Sequence, residues 1–122
     1  MTFSRIISDI HSVLTDDLLK PEYRKMEERH LTTGHCYASS EALFHLFGGK
    51  DVWSAYCGRD HTGGTHWWLK NKLTGIILDP TSEQYTHFGH TPPYSNGKPC
   101  AFLTRQPSKR AKEILNRLAS LI

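Results

Sequence analysis

Apolar residues repeat with helical spacing at the two ends of this chain and with strand spacing in its middle, and that change of period is the strongest constraint on its fold. Phe3, Ile6, Ile7, Ile10, Val13 and Leu14 follow an i, i+3, i+4, i+7 rhythm, which predicts an amphipathic helix with Thr2 as its N-cap. Ala111, Ile114, Leu115, Leu118, Leu121 and Ile122 form a second stripe, with Ser108 as the expected cap. Between them, Val52 to Cys57, His66 to Leu69 and Gly75 to Leu78 read as short β-runs separated by the Gly-rich 58–65 stretch and the 71–74 turn. That punctuation belongs to an antiparallel meander.

A third helix is expected from Cys36 to Phe47, with Ser39, Ala42, Leu43, Leu46 and Phe47 on one face and Gly48-Gly49 as the stop. Residues 22–30 fit either a short helix or an exposed loop. Cys100 to Leu103 reads as a last strand, and the Pro-, Gly- and His-rich stretch from Pro80 to Pro99 as a rim or lid over a site. At 122 residues the chain suffices for one α+β domain.

Composition narrows the function classes. No apolar run approaches the roughly 18 residues of a membrane span, and Met1 to Leu14, with Asp9 and His11, does not read as a signal peptide, so a cytoplasmic protein is expected. A net charge of +3, from 15 Lys+Arg against 12 Asp+Glu, lacks the basic stripe with interleaved aromatics that marks a nucleic-acid binder. The cysteines, Cys36, Cys57 and Cys100, are too few and too widely spaced for a disulfide framework, which predicts free thiols in a reducing compartment.

The chemistry is expected in the histidine-rich middle. Cys36 begins a helix, where the dipole and unpaired N–H groups favour a thiolate. A nucleophilic thiolate needs a base, and the base needs a third group to hold its tautomer. If the strand from His66 pairs with the strand ending at Leu78, His66 and Asp79 become neighbours and can complete a Cys-His-Asp line. Trp67 and Trp68 fall on opposite faces of their strand, as do Trp53 and Tyr56. His35, Trp53, Trp67, Trp68, Gln84 and Tyr85 are the residues expected to line or order a substrate cleft. Histidines five apart, His30 with His35 and His61 with His66, do not match metal-ligand spacing, so neither a metal nor another cofactor is expected.

Gly34-His35-Cys36-Tyr37-Ala38 opening a helix, then His66-Trp67-Trp68-Leu69, then Ile77-Leu78-Asp79-Pro80-Thr81, resembles the transglutaminase-like core. The resemblance covers about residues 33–85. It implies a papain-like architecture, a catalytic helix on a small antiparallel sheet, and acyl transfer through a thioester on Cys36 with His66 as base and Asp79 as its partner. The expected activity is that of a peptidase or amidase, or of a transamidase, on a peptide or protein. No Trp precedes Cys36 to help hold an oxyanion, which leaves Tyr23 or an upstream histidine as the alternatives. With Glu41-Ala42-Leu43, Gly48-Gly49 and Pro107-Ser108-Lys109-Arg110-Ala111, the pattern also resembles small proteins of bacteriophage and prophage genomes. That likeness keeps open a non-catalytic protein that docks on a host partner. A metal-dependent hydrolase is the third alternative.

Overall fold

The computed structural model describes residues 3–121. Helix α1 spans Phe3–Val13 and buries Ile6, Ile10 and Val13; its expected cap, Thr2, lies outside the described residues. A 3-10 turn, Asp16–Leu18, leads to the four-residue helix α2, Pro21–Arg24, which begins on the proline. The rest of the 22–30 stretch is irregular and mostly exposed. Helix α3, Cys36–Leu46, buries Ala38, Ser39, Ser40, Glu41, Ala42 and Leu43. It stops at Gly48, whose φ of 112° is a conformation that a side chain would strain.

Strands β1 (Trp53–Arg59), β2 (Thr65–Asn71) and β3 (Ile77–Leu78) form the antiparallel meander, and β4 (Lys98–Cys100) returns to the free edge of β1, giving the order β3-β2-β1-β4. The last strand ends at Cys100 instead of starting there, because the next residues turn away to α3. The Leu103 N–H donates to the Tyr37 hydroxyl at 2.8 Å, and Phe102 packs against Tyr37, Phe44 and Trp67. Helix α4 (Glu83–Thr86) follows β3, and α5 (Lys109–Ala119) closes the described chain. Ser108 caps α5 by accepting from the Ala111 N–H at 3.3 Å. Of the terminal stripe, Ala111, Ile114 and Leu118 are buried, Leu121 is exposed, and Ile122 lies outside the described residues.

Strand parity divides the sheet into two unlike faces. Ala55 opposes Leu69, and Leu69 opposes Leu78, so these three share a face. That face joins Ile6 and Ile10 of α1, Ala38, Ala42 and Leu43 of α3, and Ala111, Ile114 and Leu118 of α5 in one apolar cluster. The opposite face carries Tyr56, His66 and Trp68. It is covered by the 80–97 segment, in which Tyr85, Pro92 and Pro93 are buried. The segment packs as a layer over the sheet, and its Gln84, Tyr85, Phe88 and His90 form part of the rim of a cleft.

Polar contacts fasten the helices. The buried Glu41 carboxylate accepts from the Ser108 N–H at 3.1 Å, which sets a negative charge at the positive end of α5. Arg117 donates to the Val13 carbonyl at 2.9 Å and to Asp17 at 2.8 Å, tying α5 to the end of α1. No helix among the described residues is long and apolar enough to cross a membrane.

The expectation of three free thiols is overturned. Cys57 and Cys100 form a disulfide between β1 and β4, with Cα atoms 5.9 Å apart, leaving Cys36 as the free cysteine. Register makes the pairing: Cys100 sits opposite Ala55, on the same face as Cys57 and one diagonal step away. Cysteine count and spacing could not reveal it, because β4 reaches β1 only by crossing back over 43 residues. Denatured, unreduced protein should titrate with one thiol per chain; three would show the bond to be absent. Replacing both Cys57 and Cys100 with Ser should lower the unfolding free energy by about 2–4 kcal/mol, measured by urea denaturation.

Candidate active site

Cys36 is the first residue of α3, and no side chain caps the helix at His35. The first N–H groups of the helix are therefore not capped by a side chain, and the thiol on its first residue is partly exposed. The thiol donates to the Thr65 carbonyl at 3.7 Å, which brings the head of α3 to the first residue of β2.

The next residue of β2, His66, is 0% exposed. Its Nε2 donates to Asp79 Oδ2 at 2.6 Å. The pairing of Leu69 with Leu78 makes this contact, since it lays the start of β2 beside the residue that follows β3. Asp79 holds three donors at once. Oδ2 also accepts from the Tyr94 hydroxyl at 2.7 Å, and Oδ1 accepts from the Thr81 N–H at 3.1 Å. Asp79 thus starts the Asp-Pro-Thr turn with one oxygen and faces the histidine with the other. On the far side, His11 Nε2 donates to the Pro80 carbonyl at 2.7 Å and ties this turn to α1.

Burial is the largest influence on the His66 ring and works against its charged form. The hydrogen bond and charge of Asp79, together with the Cys36 side chain, outweigh it and push the ring pKa up to about 9. Burial, then the Asp79 charge, raises the pKa of Tyr94, so its hydroxyl remains a donor. Trp68 stacks on His66 at 5.6 Å and 28°, and Tyr85 meets it edge-on at 4.8 Å. Trp68 fits because residues 58 and 97 are glycines. A Cβ at Gly97 would collide with the Trp68 ring, and one at Gly58 would lie 3.1 Å from it.

A cleft of about 460 Å³ opens at Cys36, with Tyr23, Asp60, Gln84, Tyr85 and Phe88 among its walls. Asp60 accepts from the Tyr85 hydroxyl at 2.7 Å, the Thr62 N–H at 2.9 Å and the Gly64 N–H at 3.0 Å. Burial alone would raise its pKa, but these bonds and the Thr62 hydroxyl hold the carboxyl below its ordinary value. A larger cavity of about 660 Å³, between Phe44, Trp53 and Phe102, shares no wall with this cleft.

The residues expected at the site divide accordingly. Cys36, His66, Asp79, Gln84 and Tyr85 gather at the cleft or directly behind it. Trp68 supports His66 from below and is 1% exposed, so it offers no surface to a substrate. Trp67 points to the helical face, stacked on Phe102. Trp53 is in the apolar cluster, its indole N–H donating to the Phe47 carbonyl at 3.1 Å. His35 is also outside the cleft. It is 2% exposed with Nδ1 unpartnered, and burial followed by the Arg110 charge lowers its pKa to about 4. In these last three cases one physical fact decides: the side chain next in sequence to a cleft residue, or on the opposite strand face, is turned into the core.

Tyr94 and Asp60 were not legible as site residues. Asp60 carries a turn signal, Asp-His-Thr-Gly-Gly, that reads equally well as plain hairpin punctuation. Tyr94 reaches Asp79 only through the crossover that brings the chain back to β4. Family models, curated proteins and solved structures contain no match to this chain.

The opposite shifts of the two buried histidines make their joint contribution to stability greatest near pH 6.5. His66 has a raised folded pKa, so its contribution is complete below about 6.5 and is lost as pH rises through about 9. His35 has a lowered one, so stability is lost as pH falls from about 6.5 through about 4. Each histidine should contribute roughly 3 kcal/mol to its limb in urea unfolding. His66→Gln should reduce the alkaline limb, and His35→Gln the acid one, by that amount.

Proposed function

We propose that this protein is a cysteine-dependent acyl-transfer enzyme with a papain-like, transglutaminase-like arrangement, acting on an amide of a peptide or protein. One observation carries the reading. A buried His66–Asp79 pair, held at 2.6 Å and completed by Tyr94, stands beside the free thiol at the head of an uncapped helix, and that thiol opens on a cleft.

In the proposed reaction the Cys36 proton passes to Nδ1 of His66, while Nε2 keeps its hydrogen on Asp79. The thiolate attacks the substrate carbonyl carbon and forms the C–S bond. The negative oxygen is received by the Cys36 backbone N–H and a second donor. Of the alternatives for that donor, Tyr23 lines the cleft with Cys36, and its pKa is raised by burial and by the Cys36 charge, which keeps its hydroxyl protonated. As the C–N bond breaks, His66 returns its proton to the leaving amine and a thioester remains on Cys36. A water or an amine then gives a proton to His66 and attacks the thioester. The products are a carboxylic acid or a new amide, with the thiol regenerated.

Intact-mass analysis with peptide amide and ester acyl donors tests this proposal. A mass increase equal to the acyl group should map to Cys36, be absent in Cys36→Ala, and fall at least about 100-fold in rate in His66→Gln, the usual scale of general-base catalysis. Turnover that survives Cys36→Ala would overturn the reading.

A further inference from the structure

Gln84 makes contacts that a substrate-lining role does not require. Its side-chain nitrogen lies 3.2 Å from His66 Nδ1 and 3.1 Å from Thr81 Oγ1. On the other edge of the ring, Nε2 lies 2.6 Å from Asp79. We infer that the Gln84 amide is a two-position switch, turning by half a rotation when His66 gains or loses its proton, so that its carbonyl and its NH2 face the cleft alternately. The inference rests on the proposed pairing of Cys36 as nucleophile with His66 as base.

An ionised carboxylate only accepts, so Asp79 keeps a hydrogen on Nε2 and the exchanging proton is the one on Nδ1. When Nδ1 is bare it can only accept. The amide NH2 then faces it, with one N–H to Nδ1 and the other to the Thr81 hydroxyl, which fits the 3.2 Å and 3.1 Å separations of the side-chain nitrogen from those two atoms. When Nδ1 is protonated it can only donate. An NH2 left in place would oppose two donors beside a buried ring, at a penalty of about 1–3 kcal/mol. Rotation about the terminal amide torsion removes that conflict, because nitrogen and oxygen exchange places in a group of nearly the same shape. Oε1 then accepts from Nδ1–H, which it shares with the Cys36 thiolate, and the Thr81 hydroxyl turns to donate into the same oxygen.

The far end of the amide makes this useful. Gln84 lines the cleft with Cys36, and no hydrogen bond among the described residues holds its Oε1. With His66 charged, the cleft receives an N–H donor suited to a substrate carbonyl. After His66 has given its proton to the leaving amine, the cleft receives a carbonyl oxygen suited to accept from the attacking water or amine. Gln84 is thus a positioning residue whose polarity follows the ring. The other ionisable groups around it are Cys36 on α3, Asp79 after β3, Tyr94 on Asp79, Tyr85 on α4 with Asp60 behind it, and Tyr23, Glu28, His61 and His90 in the cleft walls.

The test follows the titration of the His66 ring and the Gln84 side-chain NH2 by nitrogen-15 NMR, with the rate of Cys36 alkylation by iodoacetamide recorded across the same pH series. A switch supports both ring forms about equally. Gln84→Met should therefore leave the His66 midpoint within about 0.3 pH unit, whereas Gln84→Glu, which only accepts, should raise it by about one unit or more, a tenfold change in the proton equilibrium. The Gln84 NH2 resonances of the unaltered protein should move with the same midpoint as the ring. A midpoint raised by Gln84→Met as much as by Gln84→Glu would show a fixed donor and overturn the switch, as would NH2 resonances that do not titrate. An alkylation profile that His66→Gln leaves unchanged would instead overturn the Cys36–His66 pairing, and the switch with it.

Discussion

The buried contact between His66 and Asp79 makes demands that the surrounding chain has to meet. A carboxylate withdrawn from water is tolerated only when its lone pairs find donors, and the ring beside it only when its other nitrogen is hydrogen-bonded. Asp79 finds them in the Tyr94 hydroxyl and the Thr81 N–H, and His66 in Gln84. Those partners lie on the 80–97 segment, so this Pro- and Gly-rich stretch must pack as an ordered second layer. The packing explains the glycines under Trp68: its ring fills the space between the sheet and that layer, and the backbone at Gly58 and Gly97 comes too close for a side chain. The disulfide between Cys57 and Cys100 closes the same crossover from below.

Cys36 sits at the seam between the two layers. Helices α1, α3 and α5 cover the face that carries Ala55, Leu69 and Leu78, whereas His66 points to the other. The thiol can approach the histidine only where α3 reaches the first residue of β2, and the Cys36 to Thr65 contact marks that place. The Cys36 thiol at the layer edge is partly exposed at a cleft, while His66 is fully buried. The His66 pKa is raised against that burial by Asp79 and the Cys36 side chain.

Local patterning made a good part of this visible. The amphipathic stripes of α1 and α5, the Ser108 cap, the helix stop at Gly48 and the β1 to β3 meander follow from periodicities and turn residues whose energetics are local. The spacing of thirteen residues from His66 to Asp79 suits a hairpin, and β2 and β3 bring the two side chains together. Side-chain direction was less legible. Trp53, Trp67 and His35 bear chemistry suited to a cleft, yet strand parity and the burial of the helix head turn them into the core.

By itself, then, the sequence determined the three long helices, the β1 to β3 meander and Cys36, His66 and Asp79 as candidates, because hydrophobic period, capping and turn preference act over a few residues. Only the tertiary structure decided which layer each residue joined. The return of β4 to the edge of β1 pairs Cys57 with Cys100 and carries Tyr94 to Asp79, and the seating of α3 sets Cys36 beside Thr65. These are contacts between segments far apart in the chain. They are selected by the joint packing of two sheet faces and by the need to satisfy a buried carboxylate, conditions that no local pattern encodes.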